Sequence, residues 1–338
     1  MLATALAGVV ALVLSAFAVA LLLRNAARLP VALPSERSLH GRPIPRVGGL
    51  ALWAGFLPVG LWLAPGLPGG WAGWLPAWLA IALVSLLDDA RGAPVALRLA
   101  VHVAAALWAA GWILRMPGGV LPGVAAGSGY VVALVIAALA IAWCANLYNF
   151  MDGSDGLAGA TTLIGFATLA CAAGDDVALR TATLALAAAC VPFLVVNRPP
   201  ARMFLGDVGA VPTGFLAAAF GIGGVVQDTW PAWFPVLVFL PFIADASATL
   251  VRRLVNGERV WQAHRSHYYQ RLHQLGAGHA GTLAAYVVAT LGCAVTALAC
   301  YALAPAAGPV ALAAWCIAFA GVFAAIDYHW RRKPSATR

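Results

Sequence analysis

Apolar residues in this chain run in long stretches, each ending in charge or in Gly, Pro or Trp punctuation. A helix needs roughly 20 predominantly apolar residues to cross a bilayer. About eleven stretches qualify, near residues 2–23, 48–65, 73–87, 97–115, 128–147, 157–174, 177–196, 208–226, 232–251, 281–303 and 309–327. The pattern predicts an all-α, polytopic membrane protein. The first stretch has no basic segment ahead of it and is too long for the apolar part of a signal peptide, so it is expected to stay as a helix with its N-terminus outside. Eleven crossings consume about 220 residues and leave connections averaging roughly 10, too short for a folded soluble domain of about 50. Residues 1–338 are therefore expected to form one integral membrane domain whose chemistry sits on loops and helix ends, at 24–47, 88–97, 146–157, 197–208 and 252–280.

Composition agrees: 63% of residues are apolar and 9% charged, against about half and a quarter in soluble proteins. A formal charge of +8 could suggest nucleic acid, but its distribution gives another reason. Every Lys and Arg except Arg115 and Arg180 falls on the same side of the expected spans. By the positive-inside rule that side is cytoplasmic, which puts the N-terminus in the periplasm and the C-terminus in the cytoplasm of a bacterial inner-membrane protein. No nucleic-acid partner is expected. The six cysteines lie in or beside apolar spans with no CxxC spacing, so neither a disulfide framework nor a zinc site is indicated.

Polar clusters follow spans 3, 5, 7 and 9, and odd-numbered spans all leave on one face. Asp88 and Asp89 end span 3, where the helix dipole disfavours anions and a cation should compensate; Asp89-Ala90-Arg91-Gly92 also reads as a simple type I turn. After span 5, Asn146, Asn149 and Asp152 recur every third residue, so a continuing helix would present three oxygen-bearing side chains together. Asp155-Gly156 reads as a turn or cap to span 6. Before span 8, Phe204-Leu205-Gly206-Asp207-Val208-Gly209 places Asp207 either as a helix N-cap or as an oxygen ligand of the kind that suits Mg²⁺. The loop after span 9 carries His264, Arg265, His267 and Arg271. At helical spacing His264, His267 and Arg271 would share a face, suited to a pyrophosphate or to anionic headgroups. The loop after span 1, His40-Gly41-Arg42-Pro43-Ile44-Pro45-Arg46-Val47-Gly48-Gly49, is stiffened by prolines while Arg42 and Arg46 face the lipid phosphate plane.

In these residues the chain resembles the MraY/WecA family of polyprenyl-phosphate N-acetylhexosamine-1-phosphate transferases, glycosyltransferase family 4. HGRPIPRVGG, the Asp-Asp pair, NLYNFMDGSDGLAG, FLGDVG and HRSHYYQRL stand in family order, and the last is most similar to the WbpL-like O-antigen initiating branch. Arg98-Leu99 replaces the family's usual Lys-Leu, and His102 stands where a Gln is usual. The resemblance implies transfer of N-acetylhexosamine-1-phosphate from a UDP-sugar to undecaprenyl phosphate, with UMP released and O-antigen or another envelope glycan begun. It further implies Mg²⁺, with Mn²⁺ as a substitute, on Asn149 and Asp207. Asp88 and Asp89 would deprotonate or orient the lipid phosphate, while Asp152 and Asp155 organise the nucleotide pocket. Arg42, Arg46, Arg98, Asn146, His264, Arg265 and His267 would bind substrates. The expected partners are undecaprenyl phosphate, a UDP-N-acetylhexosamine and membrane lipid, with a homodimer left open. A transporter is the alternative from another class, but it would place ionisable residues near mid-membrane. The DGxxAR signature of CDP-alcohol phosphotransferases is absent.

Overall fold

The computed structural model describes residues 1–29, 31–32, 43–116, 128–259 and 264–333, and it is helical over each of the eleven apolar stretches. The helices are α1 (Leu2–Arg24), α2 (Gly48–Leu63), α3 (Gly70–Arg91), α4 (Val95–Ile113), α5 (Ser128–Met151), α6 (Leu157–Ala172) and α7 (Val177–Asn197). They continue as α8 (Asp207–Val226), α9 (Trp233–Val238), α10 (Leu240–Val255), α11 (Tyr268–Leu272), α12 (Gly278–Leu303) and α13 (Gly308–Arg332). Among the described residues, nine helical segments are long and apolar enough to cross a membrane by length and composition; α6, with 16 residues, is shorter. The protein is an all-α, polytopic membrane protein. The one extended element described is a two-residue antiparallel ladder, β1 (Val31–Ala32) on β2 (Ile44–Pro45).

The stretch expected as one span at 232–251 is two helices. They separate at Phe239, where φ is −99° and ψ is 11°, two residues before Pro241. Pro241 offers no N–H to the Leu237 carbonyl and its ring crowds it, which favours a break there, whereas α2, α3, α7 and α8 run on through Pro58, Pro76, Pro192 and Pro212.

Helix α8 is the axis of the bundle and is buried over most of its length. It packs on α5, α3, α2 and α4. Small residues permit this, since lipid-embedded helices associate through close backbone packing rather than through a hydrophobic difference. At the α2–α8 crossing, a Cβ added to Gly49 would stand 2.3 Å from the Gly209 Cα. The same crossing holds α2 to the start of α8 by the Trp53 indole N–H, which donates to the Val208 carbonyl at 2.7 Å. Helices α1, α7 and α6 pack in series, α12 packs on α6, and α13 stays at the edge.

Candidate active site

Helix α3 runs through Arg91, so the Asp-Asp pair occupies its last turn rather than a free turn. Two adjacent carboxylates at the negative end of a helix need cations, and they have one each. Arg46 Nε donates to Asp89 Oδ1 at 2.9 Å, and Arg98 Nη1 to Asp88 Oδ2 at 2.5 Å. The other oxygens take backbone donors: Val208 N reaches Asp89 Oδ2 at 2.9 Å and Ala93 N reaches Asp88 Oδ1 at 2.6 Å.

Local chain geometry brings Arg46 and Asp207 to this pair. Residues 45–49 are laced to 204–205 by Phe204 N on Pro45 O, Gly48 N on Phe204 O and Gly49 N on Leu205 O, each at 2.8 Å. Gly206 then turns the chain into α8 with φ 75° and ψ 166°, a region open essentially to glycine. A Cβ there would lie 2.3 Å from the Arg46 carbonyl oxygen and 2.9 Å from Asp89 Oδ2. Gly206→Ala is therefore expected to cost about 1–3 kcal/mol from the backbone alone and to displace Arg46 from Asp89. Thermal unfolding in detergent together with turnover per folded molecule would measure both effects.

The N-cap of α8 is Gly206, so Asp207 is the first helical residue and caps nothing with its side chain. Its carboxylate instead faces the cluster, where Asn149 Nδ2 donates to Oδ2 at 3.2 Å and Arg98 Nη1 approaches the same oxygen at 3.4 Å. One guanidinium nitrogen thus stands between Asp88 and Asp207. Helix α5 extends through Met151, placing Asn146 and Asn149 in its closing turns and Asp152 just beyond. Asn146 turns away from Asp207: its Oδ1 meets His102 Nδ1 at 3.3 Å and its Nδ2 donates to Ala142 O. Asp152, walled in by protein on most sides, is pushed well above the usual carboxylate range, first by burial and then by the Asp207 and Asp89 charges.

Asp155 does not join this group. It is buried, accepts from Ala201 N at 2.9 Å and lies 3.5 Å from His279 Nδ1. Beside it, Gly156 N donates to Asn197 Oδ1 and Asn197 Nδ2 to Met203 O, so this corner ties the α5–α6 turn to the end of α7.

The segment 264–267 is not helical, and the shared face expected for His264, His267 and Arg271 does not form. Helix α11 starts only at Tyr268 because Asp245 takes the amides of Tyr268 and Tyr269, each at 2.9 Å. His264 and His267 still stack, with ring centroids 4.8 Å apart, and His267 also stacks on Phe150 at 5.8 Å. Tyr269 Oη donates to Phe150 O at 3.0 Å, which fixes the segment against the end of α5 beside Asn149 and Asp152. Arg271 leaves the group and pairs with Asp327 at 2.5 Å. Tyr268, Tyr269 and Gln270 are buried, unlike the apolar side of a helix lying on headgroups. Arg265 is exposed between the two histidines. Arg42 lies outside the described residues.

Two further acids lie outside the polar clusters expected from the sequence. Asp245 is fully buried inside the expected span 232–251, and Asp327, in α13, accepts from Arg252, Arg271 and the Tyr268 hydroxyl. The available signal was their presence in apolar stretches, since an ionisable residue in such a span marks function by default.

Among the described residues no group of three or more His, Cys, Asp or Glu is arranged as a metal cage. Magnesium does not need one, because it commonly takes one or two carboxylates and completes its octahedron with water and substrate phosphate. The donor set fits that habit: Asp88 and Asp207 already converge on one cationic atom, and the Asn149 amide lies against Asp207.

Residues 71–225, which span α3 to α8, match the family model Glycosyl transferase family 4. A phospho-N-acetylmuramoyl-pentapeptide-transferase of Moorella thermoacetica is 32% identical over 290 residues, covering 79% of this chain and 88% of the relative. The chain belongs to glycosyl transferase family 4. This is the MraY/WecA family that its motifs resemble, and both arms appear among the relatives. A decaprenyl-phosphate N-acetylglucosaminephosphotransferase of Mycobacterium leprae is 30% identical over 319 residues, 81% of this chain and 78% of the relative. A probable undecaprenyl-phosphate N-acetylglucosaminyl 1-phosphate transferase of Bacillus subtilis is 26% identical over 257 residues, 73% and 70% respectively. The region matched to the glycosyl transferase family 4 model contains Asp88, Asp89, Asn149, Asp152 and Asp207, but it stops before the segment 264–267.

Proposed function

We propose that the protein transfers N-acetylhexosamine-1-phosphate from a UDP-sugar to undecaprenyl phosphate on the cytoplasmic face of a bacterial inner membrane, starting O-antigen or another envelope glycan. The observation that carries this reading is the meeting of Asp88, Asp89, Asp207 and Asn149 with Arg46 and Arg98 at one end of the bundle, beside His264 and His267. The activities for which the relatives are named support the reaction class.

In that reaction an oxygen of the lipid phosphate attacks the β-phosphorus of the UDP-sugar. The bond from that phosphorus to the bridging oxygen breaks, and UMP leaves with the electron pair. Protein groups mainly position the reactants and neutralise charge in such a transfer. Asn149 and Asp207 would hold Mg²⁺, or Mn²⁺ in its place, and the ion when bound would neutralise the diphosphate. Asp88 and Asp89 would deprotonate or orient the lipid phosphate, with Arg46 and Arg98 holding those carboxylates in place and Arg42 adding positive charge. Arg98 serves where the family usually has Lys, and a single guanidinium nitrogen, Nη1, supplies the positive charge to both Asp88 and Asp207. Asp152 and Asp155 would shape the nucleotide pocket, with Asn146 behind it. His264, Arg265 and His267 would close on the diphosphate and sugar.

The acids of the cluster lie in terminal turns of α3 and α8, which weighs against a carrier, and Asp245 is spent on backbone amides rather than on a pathway. The reading includes eleven crossings with the C-terminus inside. In a background without the native cysteines, Glu258→Cys and Lys333→Cys are expected to resist an impermeant maleimide in intact cells and to label after permeabilisation. Labelling of either in intact cells would move the cluster to the wrong face. Donor choice is tested with purified protein, undecaprenyl phosphate, Mg²⁺ and a panel of UDP-N-acetylhexosamines, scored by UMP release. Robust release with one donor is expected, and release with none would overturn the reading.

A further inference from the structure

Asp245 is a fully buried carboxylate on α10 with donors on every side. Tyr268 N reaches its Oδ1 and Tyr269 N its Oδ2, both at 2.9 Å. The Tyr286 hydroxyl, from α12, donates to Oδ2, and Thr249 Oγ1 donates to Oδ1 at 3.2 Å. His267 Nδ1 stands 3.4 Å from Oδ1. No Lys or Arg among the described residues pairs with it. A charge in so apolar a place persists only when its lone pairs are densely satisfied, and here most of that satisfaction comes from residues 267–269.

The geometry has a directional consequence. Two successive amides held by the two oxygens of one carboxylate fix the peptide planes on both sides of Tyr268, and with them the angle at which residues 264–267 arrive. His267 is thereby pinned between Asp245 on one side and the Phe150 ring on the other, and the Tyr269–Phe150 bond closes the frame. Asp245 on α10 and Phe150 at the end of α5 thus flank one imidazole, whose Nδ1 lies within ion-pair reach of Asp245 without a hydrogen bond, while Tyr286 of α12 holds the carboxylate. Partners that orient a metal-ligating imidazole are commonly worth about 10–100-fold in affinity or activity, and the same scale is expected for this one.

We propose that Asp245 is the positioning residue for His267, holding that imidazole beside the end of α5 in the geometry that transfer requires. This rests on the proposed role of His267 as a contact to the diphosphate or sugar. Asp245 itself touches no substrate and should act through His267 alone.

The test is a double-mutant cycle on the full-length protein in detergent, using Asp245→Asn, His267→Ala and the pair, with kcat, KM for the UDP-sugar, KM for undecaprenyl phosphate and melting temperature for each. Asp245→Asn keeps the shape but turns an amide toward one of the backbone donors. It is expected to lower kcat about tenfold to a hundredfold per folded molecule, with KM for undecaprenyl phosphate unchanged. In the His267→Ala background the same substitution should cost less than about threefold further, because residues acting as one unit are not additive. Should Asp245→Asn not be recovered folded, Tyr286→Phe, which removes one neutral donor from the same carboxylate, enters the same cycle with the same expected coupling. Additive losses, or wild-type kcat in Asp245→Asn beside an impaired His267→Ala, would overturn the positioning role and leave the proposed contact of His267 with the diphosphate or sugar standing. Wild-type turnover in His267→Ala would overturn both.

Discussion

Asp207→Asn is expected to reduce transfer by at least about a hundredfold, the scale lost when one preorganised electrostatic group is removed from an active site, with expression and melting temperature little changed. The substitution separates two roles cleanly because Gly206, not Asp207, caps α8. An asparagine keeps the size and the polar contacts to Asn149 and Arg98 while losing the charge that a divalent cation needs. It also removes one of the carboxylates that push Asp152 up, so a stability change, if any, should be favourable. UMP release across a Mg²⁺ titration is the measurement. Near-full turnover at saturating Mg²⁺ would show that Asp207 serves the fold alone.

The second large effect is expected at Arg265, where Ala should cut turnover by roughly a hundredfold or more if the guanidinium meets developing phosphoryl charge. A residue that merely attracts anionic headgroups contributes only about 1 kcal/mol, which is unimportant in a bundle with so much apolar surface. Arg259→Ala is the control. Its side chain is exposed, and the contact the segment makes there, Arg253 Nη2 to the Arg259 carbonyl at 3.0 Å, survives the substitution. Both variants should be assayed in anionic and in zwitterionic lipid. Equal, small effects that follow lipid charge would withdraw His264, Arg265 and His267 from the site.

What the sequence made legible was what lipid and backbone chemistry dictate locally. Apolar length placed the helices, and the Asp-Asp pair at a helix end announced a missing cation. The identity of that cation was not legible, because Arg46 lies 43 residues from Asp89 and reaches it only through the lacing of 45–49 onto 204–205. The spacing of His264, His267 and Arg271 misled for a related reason. Three- and four-residue intervals describe a helix only if the amides are free to form one, and a buried carboxylate more than 20 residues earlier had claimed them. Asp245 itself was hidden inside an apolar stretch where only packing decides. Pro241 alone did not announce the break at Phe239, because α2, α3, α7 and α8 run on through Pro58, Pro76, Pro192 and Pro212, so packing decides which proline ends a helix.

The most direct measurement follows the β-phosphorus of the donor. Purified protein is given undecaprenyl phosphate, Mg²⁺ and a UDP-N-acetylhexosamine labelled at that atom, and the lipid and aqueous products are separated. Transfer of the intact sugar phosphate puts the label in the lipid fraction, with one UMP released for each labelled lipid. Label recovered in released UDP, with unlabelled sugar on the lipid, would mean attack at the sugar carbon instead and would contradict phosphoryl transfer at this site.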